Sequence, residues 1–355
     1  MSEANNPCRF KPSNLSPAGT NIIDRNKHKT MSTIIWVCLT IIIVFGLLNR
    51  KSLFKKSSNN QINNQAGVES DINEILTSTA LKDKFQKVGL SKHWDKFEPL
   101  LRNEIRIITS KSDTEHKEPG LSKIGGQPDL PKEVDWFKEN NGKPLSFIAQ
   151  INFKEIKSFD TDDLLPANGI LYFFYSAEQE AWGFDPKDSD KFMVYYNPGN
   201  ENTDRQEFPV NLPEYSRFNE CKLDFKTTVS LPGWEHEFVT ETLSGKEIDQ
   251  YLNLPQDNII NKMLGYANTI QNEMGLECQL VTNGLYCGDA SGYNDPKAKE
   301  LKKGAYNWIL LLQIDSEDVK TGMMWGDVGR LYFWIKKEDL KNKDFNKTWM
   351  ILQCS

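Results

Sequence analysis

The longest uninterrupted apolar run lies near the N-terminus, where residues 31–48 read MSTIIWVCLTIIIVFGLL without a charge. Eighteen helical residues extend about 27 Å, close to the thickness of a bilayer's hydrocarbon core. We therefore predict a transmembrane helix over residues 31–49, with the membrane as a partner. If translation starts at Met31, basic residues flank only the C-terminal side, and the positive-inside rule places the C-terminal domain of this single-pass protein in the cytoplasm. A start at Met1 leaves the two flanks nearly equal.

Patterning on either side of this run divides the rest of the chain. Residues 1–30 are polar and rich in Asn, Pro and Ser, which predicts a disordered tail. Residues 50–70 have the composition of a flexible linker. From residue 71 apolar residues recur at helical spacing, which predicts one helix up to Gly89 and a second over residues 91–108. The folded domain is thus predicted to span residues 71–355.

After residue 110 the apolar residues fall into short runs bounded by Gly, Pro, Asn or Asp, which is typical of strands. The predicted strands cover residues 145–151, 170–175, 192–196, 276–282, 308–314, 331–335 and 349–352. Short helices are predicted between them over residues 247–252, 255–264, 295–303 and 337–343. Because strands and helices do not alternate strictly, the fold class is predicted to be α+β with antiparallel sheets, preceded by two helices and the transmembrane helix.

An internal repeat is visible within these runs. The segment SFIAQIN at residues 146–152 resembles ILLLQID at 309–315, and GILYFF at 169–174 resembles GRLYFW at 329–334. The order of the pairs is the same in both places. We therefore predict two tandem copies of one unit, at about 120–250 and 251–355, with the cleft between them as the default place for a site. Two unrelated strands with a shared aliphatic bias are the alternative.

The distribution of charge along the chain limits the classes of binding partner. The chain has a net charge of −6, but residues 65–355 hold 34 basic and 47 acidic residues, a net charge of −13. An acidic domain argues against nucleic acid, since phosphates need a basic surface. It suits a protein partner of basic character. No Cys/His spacing is typical of zinc, so we expect no metal and no cofactor.

Candidate chemistry concentrates near the C-terminus. Trp325, Asp327 and Arg330 lie within six positions, and an aromatic ring with a guanidinium suits a polar ligand that carries a carboxylate or phosphate. Asp289 lies in a Gly-rich loop beside Cys287, where the backbone can approach a ligand. The candidate ligand-binding residues of the cleft are therefore Asp289, Trp325, Asp327 and Arg330. A buried Trp over a tight turn, fixed by an Asp–Arg pair, is the structural alternative.

No nucleophile with a base is evident, so no catalytic residue is predicted. Cys287 has no histidine after it in the sequence, and a thiol nucleophile usually needs one nearby. His236 stands between two glutamates, and alternation along a strand would place these on the opposite face from the histidine. A solvated surface run is the simpler interpretation of that motif.

Motifs in both halves carry a family resemblance. In order, they are SKIGGQPDLP at 122–131, PLSFIAQIN at 144–152, GILYFFY at 169–175, GFD at 183–185, LGY at 264–266, LECQL at 276–280, LLLQID at 310–315 and WGDVGRLYFWI at 325–335. The chain resembles the YwqG-like family of bacterial proteins, a domain of unknown function, over about residues 74–355. The resemblance implies an α+β fold of antiparallel sheets and brings no activity, cofactor or catalytic residue. Ala267 and Asn268 depart from the Pro and Asp usual in that family, and a membrane anchor is unusual for it.

Two functions of different classes follow from these observations. The first is a membrane-anchored, non-catalytic protein-binding module of the adaptor or toxin-neutralising type. The second is an enzyme or small-ligand sensor that uses the cleft between the two copies. If the four candidate residues converge on an open pocket, the second gains support. If Asp327 and Arg330 instead fix backbone turns and Cys287 is buried, the first gains support.

Overall fold

The computed structural model describes residues 76–111, 118–199, 203–254 and 260–354. Strands dominate this part of the chain. They are β1 (Arg102–Lys111), β2 (Lys123–Ile124), β3 (Asp129–Pro131), β4 (Leu145–Asn152), β5 (Ile170–Ser176), β6 (Phe192–Asn197), β7 (Thr203–Arg205), β8 (Cys221–Ser230), β9 (Lys262–Leu264), β10 (Trp308–Asp315), β11 (Arg330–Lys336) and β12 (Trp349–Gln353). Six of the seven predicted strands are confirmed, since β4, β5, β6, β10, β11 and β12 coincide with them.

Ten strands form one antiparallel sheet in the order β12-β11-β10-β9-β1-β8-β2-β4-β5-β6, and β3 pairs with β7 in a separate ribbon. The sheet curves until its two edge strands approach each other. The rings of Phe192 in β6 and Trp349 in β12 lie 5.4 Å apart, and Trp349 Nε1 donates to the carbonyl of Gly183 at 2.8 Å. The predicted fold class, in which the tandem copies form separate antiparallel sheets, is therefore wrong: a single nearly closed sheet runs through both halves, because β1 and β8 pair along ten residues.

The two halves of this sheet are alike in detail. The strands β2-β4-β5-β6 lie on one side of the central β1–β8 pair, and β9-β10-β11-β12 lie on the other. The register shifts between Phe147 and Ala149 where β4 meets β5, and between Leu310 and Leu312 where β10 meets β11. Each half thus repeats the same four-strand order with the same irregularity.

A buried ion pair joins each half of the sheet to the central β1–β8 pair. Lys123 in β2 lies 3.2 Å from the carboxylate of Glu220, which immediately precedes β8. Lys262 in β9 lies 2.8 Å from Glu104 in β1. All four side chains are almost fully buried. Since a buried charge is costly unless it is paired, each half needs the neighbouring strand of the central β1–β8 pair beside it.

Ten short α-helices accompany the sheet in the described ranges. They are α1 (Ser78–Lys87), α2 (Trp94–Phe97), α3 (Phe153–Ile156), α4 (Glu237–Thr242), α5 (Lys246–Leu252), α6 (Gly275–Val281), α7 (Ala290–Asn294), α8 (Pro296–Leu301), α9 (Asp318–Thr321) and α10 (Lys337–Lys341). The predicted helices coincide at least in part with α1, α2, α5, α8 and α10.

Three element predictions are wrong. The predicted second helix, over 91–108, gives way at Arg102 to strand β1, because Ile105 and Ile107 enter the core of the sheet. The predicted strand over 276–282 is helix α6, whose residues from Glu277 to Val281 are all buried. A helix that is buried on all faces has a continuous apolar sequence, which is also the pattern of a buried strand. The predicted helix over 255–264 ends in strand β9.

The membrane prediction also needs correction. None of the helices within 76–111, 118–199, 203–254 and 260–354 is both long enough and apolar enough to span a bilayer. A single-pass localisation with a cytoplasmic C-terminal domain is therefore not supported. The predicted span itself, residues 31–49, lies outside the described residues, as do the predicted tail and linker.

Candidate functional site

The motif around Trp325 is built into the sheet. Trp325 is fully buried, its ring lies edge-on to Phe218 at 5.4 Å, and its Nε1 donates to the carbonyl of Asp315 at 3.2 Å. Arg330 begins β11 and donates from Nε to the Asp315 carboxylate at 2.8 Å, and from a terminal nitrogen to the carbonyl of Asn268 at 2.8 Å. Both side chains therefore fix turns around Asp315.

The two candidate acids are exposed and lie outside that arrangement. Asp289 caps helix α7 by accepting from the backbone N–H of Ser291 at 2.8 Å. The pKa of Asp289 is lowered by hydrogen bonds from Ser291. The bond from the Ser291 side chain has the larger effect, and the bond from its backbone N–H the smaller. Asp327 is exposed in the turn that precedes β11. The candidate aspartates thus face solvent, whereas Trp325 and Arg330 face the protein.

Cys287 is a buried thiol rather than a nucleophile. Its side chain is 6% exposed, and burial followed by the nearby charge of Glu277 raises its pKa to about 11. A thiol with that pKa is protonated at neutral pH, and the thiolate is the reactive form. Glu277, itself buried, accepts from Asn272 at 2.9 Å and from Tyr293 at 3.0 Å.

His236 acts as a helix cap. Its Nδ1 accepts from the backbone N–H of Phe238 at 3.2 Å, at the start of α4. Burial, and then the charge of Arg102, lowers the pKa of this histidine. The next residue, Glu237, pairs with Tyr306. In the part of the chain that the structure describes, no group of three His, Cys, Asp or Glu side chains is arranged to hold a metal ion.

Two cavities lie between residues of the first and second halves. One, of about 660 Å³, lies beside the closing edges β6 and β12 and is lined by Phe192, Trp308 and Trp349 among others. The other, of about 540 Å³, lies between residues 157–167 and residues 337–343. None of the four candidate residues lines either cavity. Sequence reasoning missed both, although the lysine-rich segment KKEDLKNK at 336–343 was a signal for the second.

A further feature that the sequence did not indicate is a pair of touching loops, residues 208–219 and 316–329. The N–H of Asn219 donates to the carbonyl of Thr321 at 2.8 Å, beside the contact of Phe218 with Trp325. These loops carry several exposed apolar side chains, which are Val210 (99%), Tyr215 (68%), Val319 (89%), Met324 (37%) and Val328 (58%).

Comparison with known proteins gives a family and no function. A search of the curated proteins finds no match. A family described as "Domain of unknown function (DUF1963)" matches residues 122–354, more than half of the chain. This agrees with the predicted resemblance to a domain of unknown function, whereas the narrower YwqG-like name is not shown by it. Because this match covers most of the described sheet, from β2 to β12, the chain belongs to the DUF1963 family.

Proposed function

We propose that this chain is a non-catalytic protein-binding module, whose partner is basic and aliphatic and docks on the two touching loops. The observation that carries the proposal is the exposure of apolar side chains on loops that are held rigid. We name residues 208–219 and 316–329 the two-loop surface. Exposed apolar groups on a fixed backbone are typical of protein interfaces.

The first loop is fixed from inside by one arginine. The guanidinium of Arg217 donates to the carbonyls of Leu212 at 2.7 Å, Pro209 at 3.3 Å and Val210 at 3.4 Å. The second loop is fixed through Trp325 and by the N–H of Gly326, which donates to Gln179 at 3.2 Å. A surface that is ordered before binding loses less entropy on association.

Charge indicates the character of the partner. Glu214, Asp318 and Asp327 are exposed on these loops and form no ion pair with any described residue. The cations of the same loops are engaged elsewhere, Arg217 with carbonyls and Lys320 with Thr109 and Glu317. Unpaired carboxylates between apolar side chains favour a segment that carries Lys or Arg beside aliphatic residues.

Backbone strain supports the same surface. Val328 has a φ of 52°, although β-branched residues strongly disfavour this left-handed region. The Val328 side chain is more than half exposed, so packing in the core does not explain why a valine occupies this strained position. Strained residues cluster at binding surfaces, where the strain is part of the function.

The test is site-specific photo-crosslinking of the full-length chain in its native cells. A photoreactive phenylalanine at Val319 should capture a defined protein, and the same group at Leu252, an exposed residue on α5, should not. The double variant Asp318→Lys and Asp327→Lys should abolish the product by charge repulsion. Identical products at both positions, or a product that survives charge reversal, would overturn the proposal.

Two narrower statements belong with this proposal. We infer that the DUF1963 domain here is of the YwqG-like type, supported by the shared segments listed above at 122–131 and 325–335. We also infer two related units within the chain, at about 120–250 and 251–355. Support for them comes from Gln150 and Gln313, each of which accepts a backbone N–H, from Asp129 at 2.9 Å and from Asn268 at 2.8 Å.

A further inference from the structure

The second cavity has an apolar floor and a basic rim. Its volume is about 540 Å³, within the range that suits small ligands. We name it the lysine cavity. Its lining comes from Lys157 and residues 163–167 in the first half, and from Ile309 and the segment 337–343 in the second.

Three of the four lysines that line the cavity form no ion pair with a described residue. Lys157 binds the carboxylate of Asp160 at 3.0 Å and that of Asp163, which also lines the cavity, at 2.5 Å, so the charges of Lys157 and Asp163 are already matched. Lys337, Lys341 and Lys343 are exposed and form no ion pair with the described residues. These three unpaired positive charges lie in a part of the chain, residues 65–355, whose net charge is −13.

Local structure does not favour lysine at two of these positions. Lys337 opens helix α10, where the helix dipole disfavours a positive charge. Lys343 follows the helix end with a φ of 58°, at a position that usually holds glycine. The N–H of the next residue, Asp344, closes the turn on the carbonyl of Asp339 at 2.9 Å. Residues that conflict with their local structure point to a role elsewhere.

We propose that the lysine cavity binds a small organic anion with an apolar body, of the class of alkyl or aryl phosphate monoesters and carboxylates. Lys337, Lys341 and Lys343 hold the anionic group, since ammonium groups bind phosphate and carboxylate as point charges. Leu164, Ile309 and the rest of the aliphatic lining cover the apolar part. This site is separate from the two-loop surface and does not depend on the function proposed there.

The test is calorimetric titration of the full-length chain with octyl phosphate below its micellar concentration. Inorganic phosphate is the probe that carries only the anionic group, and 1-octanol is the probe that carries only the apolar chain. We expect octyl phosphate to bind at least about tenfold more tightly than either, because only it uses both the charges and the apolar floor. Binding should weaken with added salt. Bound octyl phosphate should also protect Lys337, Lys341 and Lys343 from acetylation, as read by mass spectrometry.

Variants separate binding from folding. Lys343→Gly should weaken octyl phosphate by about tenfold while raising the unfolding midpoint, because it removes a charge and relieves the left-handed strain together. Lys337→Gln and Lys341→Gln should each weaken binding without unfolding the chain. Lys82→Gln, on the exposed face of α1, is the matched control and should leave affinity unchanged.

Three outcomes would overturn the proposal. Equal affinity for octyl phosphate and inorganic phosphate would remove the role of the apolar floor. Equal losses in Lys343→Gly and Lys82→Gln would show that overall charge, not the cavity, attracts the anion. Adsorption of the chain to anionic phosphatidylglycerol vesicles, without binding of soluble octyl phosphate, would assign the lysines to a lipid surface instead.

Discussion

At the scale of single residues, left-handed backbone marks the surfaces that we propose as sites. Five residues other than glycine adopt positive φ in the described ranges, namely Asp163, Gln179, Leu264, Val328 and Lys343. Each costs about 1–2 kcal/mol relative to glycine in that conformation. Two of them line the lysine cavity, and two lie in or against the two-loop surface. Strain therefore concentrates where contacts with other molecules are proposed.

Gly183 gives a prediction at the same scale. Its φ is +80°, and an added Cβ would lie 2.0 Å from the carbonyl oxygen of Met350 in β12. Gly183→Ala should therefore lower the free energy of unfolding by about 3 kcal/mol or more, from strain and from displacement of the closing strand. Urea denaturation measures this loss.

Gly142→Ala is the matched control for that measurement. Gly142 has a similar φ of +85°, but nothing lies within 4 Å of its added Cβ. The control should lose only the backbone term, about 1–2 kcal/mol. Equal losses in the two variants would mean that the contact of residue 183 with β12 does not limit the packing there.

At the scale of elements, Asp129 joins several strands through one carboxylate. It begins β3 and lies 3.1 Å from Lys123 in β2 and 2.9 Å from Arg205 in β7. It also accepts from the N–H of Gly120 at 3.1 Å. In the second half Asn268 donates its N–H to Gln313, as Asp129 does to Gln150, and Lys262 pairs with Glu104 at 2.8 Å. The first half thus uses an acid where the second uses an amide.

Asp129→Asn should lower the free energy of unfolding by about 3 kcal/mol at neutral pH, because it leaves a buried lysine with one partner fewer. Burial opposes ionisation of Asp129, but Lys123, Arg205 and the N–H of Gly120 outweigh it and lower the pKa below its ordinary value of 3.8. A lowered native pKa stabilises the fold above that ordinary value, and the contribution is lost as the pH falls through the native pKa.

The difference between Asp129→Asn and the unaltered chain should therefore shrink below pH of about 4, as measured by urea denaturation across pH. Asp135→Asn, at an exposed position after β3, is the matched control and should leave the free energy of unfolding unchanged at neutral pH. A difference for Asp129→Asn that stays constant down to pH 2 would mean that the ion pairs do not supply the stability.

At the scale of the whole molecule, the ten-stranded sheet, the β3–β7 ribbon and three cores organise the described residues. The largest core lies inside the sheet, a second joins α1 and α2 to α4 and α5, and a third lies under the β3–β7 ribbon. The described residues, 76–111, 118–199, 203–254 and 260–354, form one compact unit. A domain with its own cores is expected to fold without the preceding residues.

A fragment of residues 67–355 should accordingly unfold in one cooperative transition, followed by circular dichroism. A second fragment, residues 67–348, lacks β12 and should lose that transition, because β12 pairs with β11 and its Gln353 accepts two backbone N–H groups near residue 270. Aggregation of the longer fragment under several conditions would contradict the boundary. An intact transition in the shorter one would contradict the importance of closure.

Much of the local structure follows from the sequence. The runs that became β4, β5 and β12 are buried on both faces, so they are continuously apolar and easy to recognise as strands. The same rule misassigned α6, since a helix buried all round has no polar face to reveal its period. Of the candidate site, the sequence supplied the residue types but not their partners.

The sequence alone determined where chain segments extend, turn and carry charge, because these depend on neighbours a few positions away. Only the tertiary structure decided that Arg330 binds Asp315 and that Lys262 pairs with Glu104. It also decided that lysines of the segment 337–343 line the same cavity as the apolar residues of the segment 164–167. Glu104 and Lys262 are 158 positions apart, and no local pattern specifies such a pair. The sheet order that joins them arises from burial of the whole chain at once, which is why the cavities and the two-loop surface became visible only in the fold.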